Sequence, residues 1–420
     1  MAERDIYDLC VVGAGLIGSA AAKHASQWGR VCLVGPEEPK EKTLNDDRDI
    51  YGCHYDEGRI TRCTDTDPVW AALAQESIRR YRSLEDKTGI AIYKEVGCLM
   101  SGDKEYLNKI QAVVKSHKLD TTFLTYKSFK EKFPYLNISE SDGAVHEFKN
   151  AGYISPRNMV SAQIKQMKSN GGTHIAEVVN AVTRAVNDGI YLMCATTHTN
   201  KQIWAKKILL TTGAFTGFRN LLPSGLQLDV DLRPLTVAKV EISEADFRKI
   251  STMSSMIYTG KGADNWTREF PHTDIGYSWY MLPPVKYPNG KYYIKLGHFH
   301  DATSKRFTTS KEVKEWFCQT GDNQGLVRST AELINNIVKG VNMVSYHGDW
   351  CVITETPTNR PYIDTVHSQL GVAVGGNGYA AKSSDEIGRI AAAMMVKNEW
   401  TTSIPKDVFK IKFKTALSKI

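Results

Sequence analysis

Apolar and polar residues at the start of this 420-residue chain alternate in the manner of a strand, a turn, a helix and a second strand. Residues 8–12 (Asp-Leu-Cys-Val-Val) are short and apolar enough for a buried strand. Gly13-Ala-Gly-Leu-Ile-Gly18 follows at once, residues 19–27 keep small and apolar side chains on one helical face, and residues 31–34 form another buried strand. Asp67-Pro68 predicts a helix start, with Asp as N-cap and Pro in the first turn; Val69, Ala72, Leu73 and Ile78 then keep helical spacing. Ser155-Pro156 repeats the device, with Met159, Val160, Ile164 and Met167 in one stripe and Gly171-Gly172 as its end. Strand-like runs follow at 173–182, 189–196 and 203–212. Residues 232–242 and 276–282 alternate, and the Tyr287-Pro-Asn-Gly290 turn with a returning strand at 291–296 predicts a hairpin. Thr309 with Glu312, and Ser329 with Glu332, read as capping boxes opening two more helices. A strand at 371–374, a glycine turn at 375–378 and a helix to about Met395 complete the pattern.

Parallel-type strands and helices at both ends, with antiparallel patterns between, predict an α/β (α+β) fold. A nucleotide domain is expected from separated segments, 1–95, 145–230 and 340–420. The inserted stretches 96–144 and 231–339 would form a mostly antiparallel substrate domain. The apolar fraction of 42% and charged fraction of 24% are ordinary for a globular protein and supply a sizeable core. The net charge of +7 is spread without a dense basic block, which argues against nucleic acid as a partner and suits an anionic cofactor or substrate. No apolar run approaches the roughly 20 residues of a membrane span. Eight cysteines without a C-x-x-C pair, and no signal peptide, indicate a reducing compartment with free thiols, and no metal is expected. Ser418-Lys419-Ile420 differs by one residue from the Ser-Lys-Leu peroxisomal address, so peroxisome and cytoplasm are the two expected locations.

The glycine loop is the strongest chemical signal. Gly13 permits the tight turn after the strand, Gly15 lets backbone approach a pyrophosphate, and Gly18 lets the helix pack close to the sheet, with the phosphates on the helix N-terminus. The acidic residue expected for the ribose hydroxyls falls on Gly35; Glu37 or Glu38 is left to substitute from the loop. Ile208-Leu-Leu-Thr-Thr-Gly-Ala214 is an apolar strand ending in Thr-Gly-Ala, as in flavoproteins where the chain returns close to the flavin. Together with the strand, glycine turn and helix after residue 374, it favours FAD over NAD.

Several segments, in order along the chain, carry a family resemblance. They are the glycine loop, Tyr55-Asp-Glu-Gly-Arg-Ile-Thr-Arg62, Gly152-Tyr-Ile-Ser-Pro-Arg157, Lys295-Leu-Gly297, Cys351-x-x-Thr354-x-Thr356-Pro357 with Asp364, and Gly376-x-Gly378. The chain resembles the monomeric sarcosine oxidase, N-methyltryptophan oxidase and pipecolate oxidase group of the D-amino-acid-oxidase superfamily. The resemblance implies a Rossmann-type FAD-binding domain and a monomer acting on a small amine or amino acid and O2. By the same resemblance, Cys351 would attach FAD covalently and Lys295 would activate oxygen. Arg62 and Lys382 would bind a substrate carboxylate, and Arg59, Thr212, Gly213, Gly376 and Gly378 would border the flavin. Each role has a plain rival: a buried strand cysteine, a solvent-facing lysine, surface ion pairs.

The sequence departs from the family at three points. Lys382 lies two residues later than the family lysine. The family's active-site histidine falls on Phe299, flanked by His298 and His300, and its tyrosine two after the cysteine is Ile353. Flavin chemistry is thus better supported than sarcosine as substrate. The expected reaction is hydride-equivalent transfer from a C–N substrate to flavin N5, hydrolysis of the imine, and reduction of O2 to H2O2. A dehydrogenase of the same fold with another electron acceptor, and a non-catalytic flavoprotein, are the alternatives.

Overall fold

The computed structural model describes residues 5–138, 143–187, 189–260, 278–298, 305–318 and 324–414. Ser418, Lys419 and Ile420 lie outside them, as do Phe299 and His300. Two sheets organise the chain. The first has strand Ile6–Val12 at its centre, paired in parallel with Val31–Val34 on one side and Gln202–Leu210 on the other. Thr173–Ile175 extends it in parallel, and the antiparallel strands Ile190–Thr197 and Val179–Asn187 continue it beyond Gln202–Leu210. The last strand pair, Tyr362–His367 and Leu370–Val374, joins the same sheet when Leu370–Val374 pairs in parallel with Ile208, Leu209 and Leu210. Helices Leu16–Ala25 and Ala380–Val396 pack together on this sheet, where Leu9, Val11, Leu33, Leu209, Ile387 and Ile390 are buried in one apolar cluster.

The second sheet runs in the order Met343–Glu355, Asp231–Ile242, Tyr292–His298, Ser278–Lys286, Ser255–Thr259, Cys98–Gly102, Gly143–Glu147 and Thr122–Leu124. Its pairings are antiparallel except between Ser255–Thr259 and Cys98–Gly102. Helix Gln324–Ile337 closes one face, burying Ala331, Leu333, Ile334 and Ile337 against Val240, Ile294 and Leu296. A small third sheet joins Arg59–Thr61, Gly152–Ile154 and Tyr93–Lys94.

Most local signals act as the pattern predicts. Asp67 Oδ1 accepts hydrogen bonds from Val69 N and Trp70 N, and Ser155 Oγ accepts from Asn158 N. Thr309 and Glu312 form a reciprocal box. Ser329 and Glu332 do not. Both sit inside helix Gln324–Ile337, where the Ser329 hydroxyl donates back to Gly325 O and Glu332 pairs with Arg328. The run expected as one strand at 173–182 is two, because Glu177 N turns back to Ile175 O. The boundary expected at residue 340 lies before strand Met343–Glu355, whose long ladder with Asp231–Ile242 belongs to the second sheet; the chain re-enters the first sheet at Tyr362.

Candidate cofactor and substrate site

A cavity of about 860 Å³ lies between the two sheets. Its walls come from the carboxyl ends of Ile6–Val12 and Val31–Val34, where ligands of open α/β sheets sit, and from the second sheet at Leu235, Tyr280, Cys351 and Ile353. The glycine loop borders it. Gly13 has φ +111°, and a Cβ there would meet Thr211 O at 2.6 Å. A Cβ on Gly18 would meet Gly13 O at 1.8 Å, so the helix touches the loop as the motif requires. At Gly15 the nearest atom to such a Cβ is His54 Nδ1 at 3.9 Å, which leaves the backbone open to the cavity. No side chain caps helix Leu16–Ala25, so its first N–H groups await an anion. Gly35 is held to glycine by Ala14, whose N would lie 2.5 Å from a Cβ, and Glu38 is committed to a two-pronged pair with Arg157. The cradle fits the pyrophosphate of a dinucleotide.

The opposite wall fits an isoalloxazine. Thr211, one residue before the expected Thr212-Gly213 pair, ties the walls together, its hydroxyl donating to Val12 O and Gly13 O at 2.9 Å each. Gly213 has φ +51° and opens the short turn Gly213–Phe215 at the cavity edge. Gly376 and Gly378 flank Asn377, which holds the turn against the cysteine strand: its N donates to Thr354 O at 2.9 Å, and its Oδ1 accepts from Thr356 N at 2.8 Å. No side chain caps helix Ala380–Val396 either, so a second helix N-terminus opens here.

Cys351 is half-buried on strand Met343–Glu355 and lines the cavity. A hydrogen bond with the Cys53 thiol, then the Arg59 guanidinium, pull its pKa down to about 6 against burial. The Arg59 Nη2 stands 4.0 Å from its sulfur and also donates to Cys53 O at 3.1 Å. Lys295 shares the sheet face of Cys351 through the Lys295–Lys239 and Leu235–Cys351 pairs. It is 1% exposed, which removes the solvent-facing reading. Its Nζ donates to Asp56 Oδ2 and Gly58 O at 2.5 Å each. Asp56 also takes Arg59 and the Tyr287 hydroxyl, so one carboxylate gathers three groups. Burial, then Arg59 and Lys239, push the Lys295 ammonium well below the usual lysine range.

Arg62 and Lys382 meet on one carboxylate. Arg62 Nη1 lies 2.8 Å from Asp65 Oδ2, Lys382 Nζ pairs with the same oxygen, and all three residues line the cavity. Burial first, then Arg62, lower the Lys382 pKa to about 8, whereas Asp65 stays well below the usual range because Lys382 and Arg62 outweigh its burial. Arg62 and Lys382 thus share Asp65, and a second carboxylate, Glu147, lies close enough to act on both. Nearby Glu147 accepts Cys63 N and Thr64 N, and burial raises its carboxyl. His298 lines the cavity with its pKa lowered to about 4 by burial, and its Nε2 is 3.2 Å from Thr330 Oγ1. Ile353 Cδ1 lies 3.6 Å from where a Gly378 side chain would start.

The geometry brings Arg62 with Lys382, and Arg59 with Cys351, into one cavity; Lys295 reaches it through Asp56 and Arg59. Sequence reasoning missed Asp56 and Asp65. Both stand three residues before or after one of the arginines, a spacing that signals a local ion pair, but nothing in the sequence says that a distant lysine joins each.

The family model of FAD dependent oxidoreductases, DAO, matches residues 8–394. Monomeric sarcosine oxidase from Arthrobacter sp. (strain TE1826) is 24% identical, over 96% of each chain. Human peroxisomal sarcosine oxidase is 21% identical over 94% of each. Among solved structures, NikD, described as an unusual amino acid oxidase essential for nikkomycin biosynthesis, superposes with a TM-score of 0.73 at 17% identity, covering 98% of this chain and 99% of that one. The match spans both sheets and every wall of the cavity, and the chain belongs to the DAO family of FAD dependent oxidoreductases.

Proposed function

We propose that this protein oxidises the C–N bond of a small amine or amino acid carrying a carboxylate, an N-methyl, cyclic or other secondary amine, and passes the electrons to O2. The observation that supports the reading is the pairing of Arg62 and Lys382 on one Asp65 in the wall of the cavity, which sets a guanidinium and an ammonium side by side where a substrate carboxylate would bind. The relatives named for sarcosine and amino-acid oxidation support it. FAD, held by Gly13, Gly15, Gly18, Thr212, Gly213, Arg59, Gly376 and Gly378, supplies the two-electron acceptor when bound. The chain's own residues do the rest. Arg62 grips the carboxylate with its planar fork, and Lys382 adds a point charge. The oriented substrate then presents its C–H bond to the cofactor, which is the main contribution of the protein to rate. Walls such as Ile353 exclude water and set side-chain size. Cys351, as a thiolate beside Arg59, is the residue for covalent attachment of FAD. Lys295, held in place by Asp56, is the residue whose ammonium would stabilise electron transfer to oxygen.

One experiment tests the reading. N-methyl and cyclic amino acids are mixed anaerobically with the holoprotein, and oxygen is then readmitted. At least one should bleach the flavin. Lys295→Met should slow reoxidation far more than bleaching, by about 10²–10³ if it acts as a preorganised charge. A flavin that no amine bleaches would overturn the reading; equal reoxidation in both proteins would remove Lys295 from it.

A further inference from the structure

A further cation stands in the same cavity and has no part in the chemistry above. Arg233 lies on strand Asp231–Ile242 and lines the cavity, although it is only 8% exposed. Its cross-strand partner is Ile353, and two residues on, Leu235 faces Cys351. With a side-chain period of two, Arg233 rises from the sheet face that carries the cysteine, beside the residue nearest the Gly378 turn.

A guanidinium taken out of water is costly unless its donors are paired. Arg233 is paired through one atom. Its Nε donates to Glu355 Oε1 at 2.7 Å, while among the described residues its buried Nη1 has no hydrogen-bond partner. A structural pair would engage the carboxylate with both prongs. Glu355 is also shared with Arg306, whose Nη2 lies 3.7 Å from its other oxygen. Tyr379 connects Arg233 with Arg62. Its hydroxyl is raised by burial, and both Arg62 and Arg233 act against that rise, so the same side chain feels both cations. Arg62, Lys382 and Arg233 thus line one and the same cavity.

We propose that Arg233 binds a second acidic group of the substrate, so that the compound oxidised here carries a side-chain carboxylate besides the one held at Arg62 and Lys382. This rests on the proposed amine oxidation and narrows its substrate class to dicarboxylic amino acids and their N-substituted forms. The side-chain carboxylate takes the free prong of Arg233, with Glu355 keeping the guanidinium oriented.

The test uses the holoprotein and two isosteres, succinate and its monoamide succinamate, with Kd read from perturbation of the flavin absorbance. The wild type should hold succinate about tenfold or more tighter than succinamate, the loss expected for one charged hydrogen bond. Arg233→Gln should bring the two within threefold. Glu355→Gln, which removes the competing carboxylate, should widen the preference. A wild type that binds the two alike, or binds neither, would overturn the proposal, as would a preference unmoved in both variants. If Arg233→Gln does not retain flavin, Glu355→Gln decides alone: a wider preference sustains the assignment, and an unchanged or narrower one ends it. The parent reading fails differently. Succinate preference with no amine able to bleach the flavin would discard amine oxidation and leave the second anion site standing, whereas bleaching by neutral N-methyl amino acids without that preference would discard Arg233 alone.

Discussion

A thiol with a pKa near 6 reacts as thiolate at neutral pH, and Cys351 owes this to the Cys53 thiol and Arg59. Acid-denatured protein is therefore expected to keep yellow colour on the polypeptide, and Cys351→Ala to release it. On reconstitution, attachment should quicken as pH rises through about 6, since the nucleophile exists above its pKa. Free FAD in the supernatant of the unmodified protein would refute the attachment. Lys382 gives the opposite sign. Its pKa falls from 10.5 to about 8, because burial and Arg62 disfavour the charged form. The ammonium that attracts a carboxylate is present below about pH 8 and is lost above it. Affinity for a carboxylate inhibitor should thus decline as pH rises through 8, and Lys382→Gln should flatten that profile; a wild-type affinity level from pH 7 to 9 would place Lys382 outside the site. Cys351, Arg62 and Lys382 became candidates through the resemblance of short segments to a known family, and all three line the cavity. Asp56 and Asp65 were not visible, because their partners Lys295 and Lys382 arrive from positions more than two hundred residues away.

At the scale of elements, the legible signals were those with a stereochemical cause confined to a few residues. Asp67 and Ser155 cap their helices, and Gly13 needs a backbone angle that other side chains rarely adopt. The Gly18 contact makes a sharp case. A methyl placed 1.8 Å from Gly13 O cannot be accommodated without moving the loop or the helix. Gly18→Ala should lower flavin occupancy and cost about 1–3 kcal/mol of stability. Gly217→Ala, with nothing within 4 Å of the new carbon, serves as the silent comparison. Thermal melts and flavin-to-protein absorbance ratios report both, and a Gly18→Ala protein as stable and as yellow as the wild type would show that the helix yields. What misled the sequence reading was also local. Ser329 and Glu332 satisfy the spacing of a capping box, but Val327, Thr330 and Ile334 bury the same stretch as the middle of a helix, and packing outranks the cap.

For the molecule as a whole, the two-layer architecture was legible as a class, from runs of buried strands at both ends and alternation between them. The membership of strand Met343–Glu355 was not. An apolar strand pairs wherever its neighbour's register and face permit, and its partner Asp231–Ile242 lies over a hundred residues earlier. The same topology has a consequence for how the protein is made. The first sheet contains strands from both ends of the described chain: Ile6–Val12 leaves the ribosome early, yet Leu370–Val374 and helix Ala380–Val396, which complete its layer, come late. Cys351 and the Gly376–Gly378 turn arrive in that same final stretch. A nascent chain halted at residue 340 would hold the phosphate loop but lack Cys351 and the Gly376–Gly378 turn of the isoalloxazine wall, and is expected to retain no FAD when ribosome-bound chains are pelleted and assayed for flavin fluorescence. Retention at that length would contradict the topology. On this topology cofactor loading is expected to be a late event in synthesis, because strand Asp231–Ile242 stays without its long-ladder partner until Met343–Glu355 has emerged.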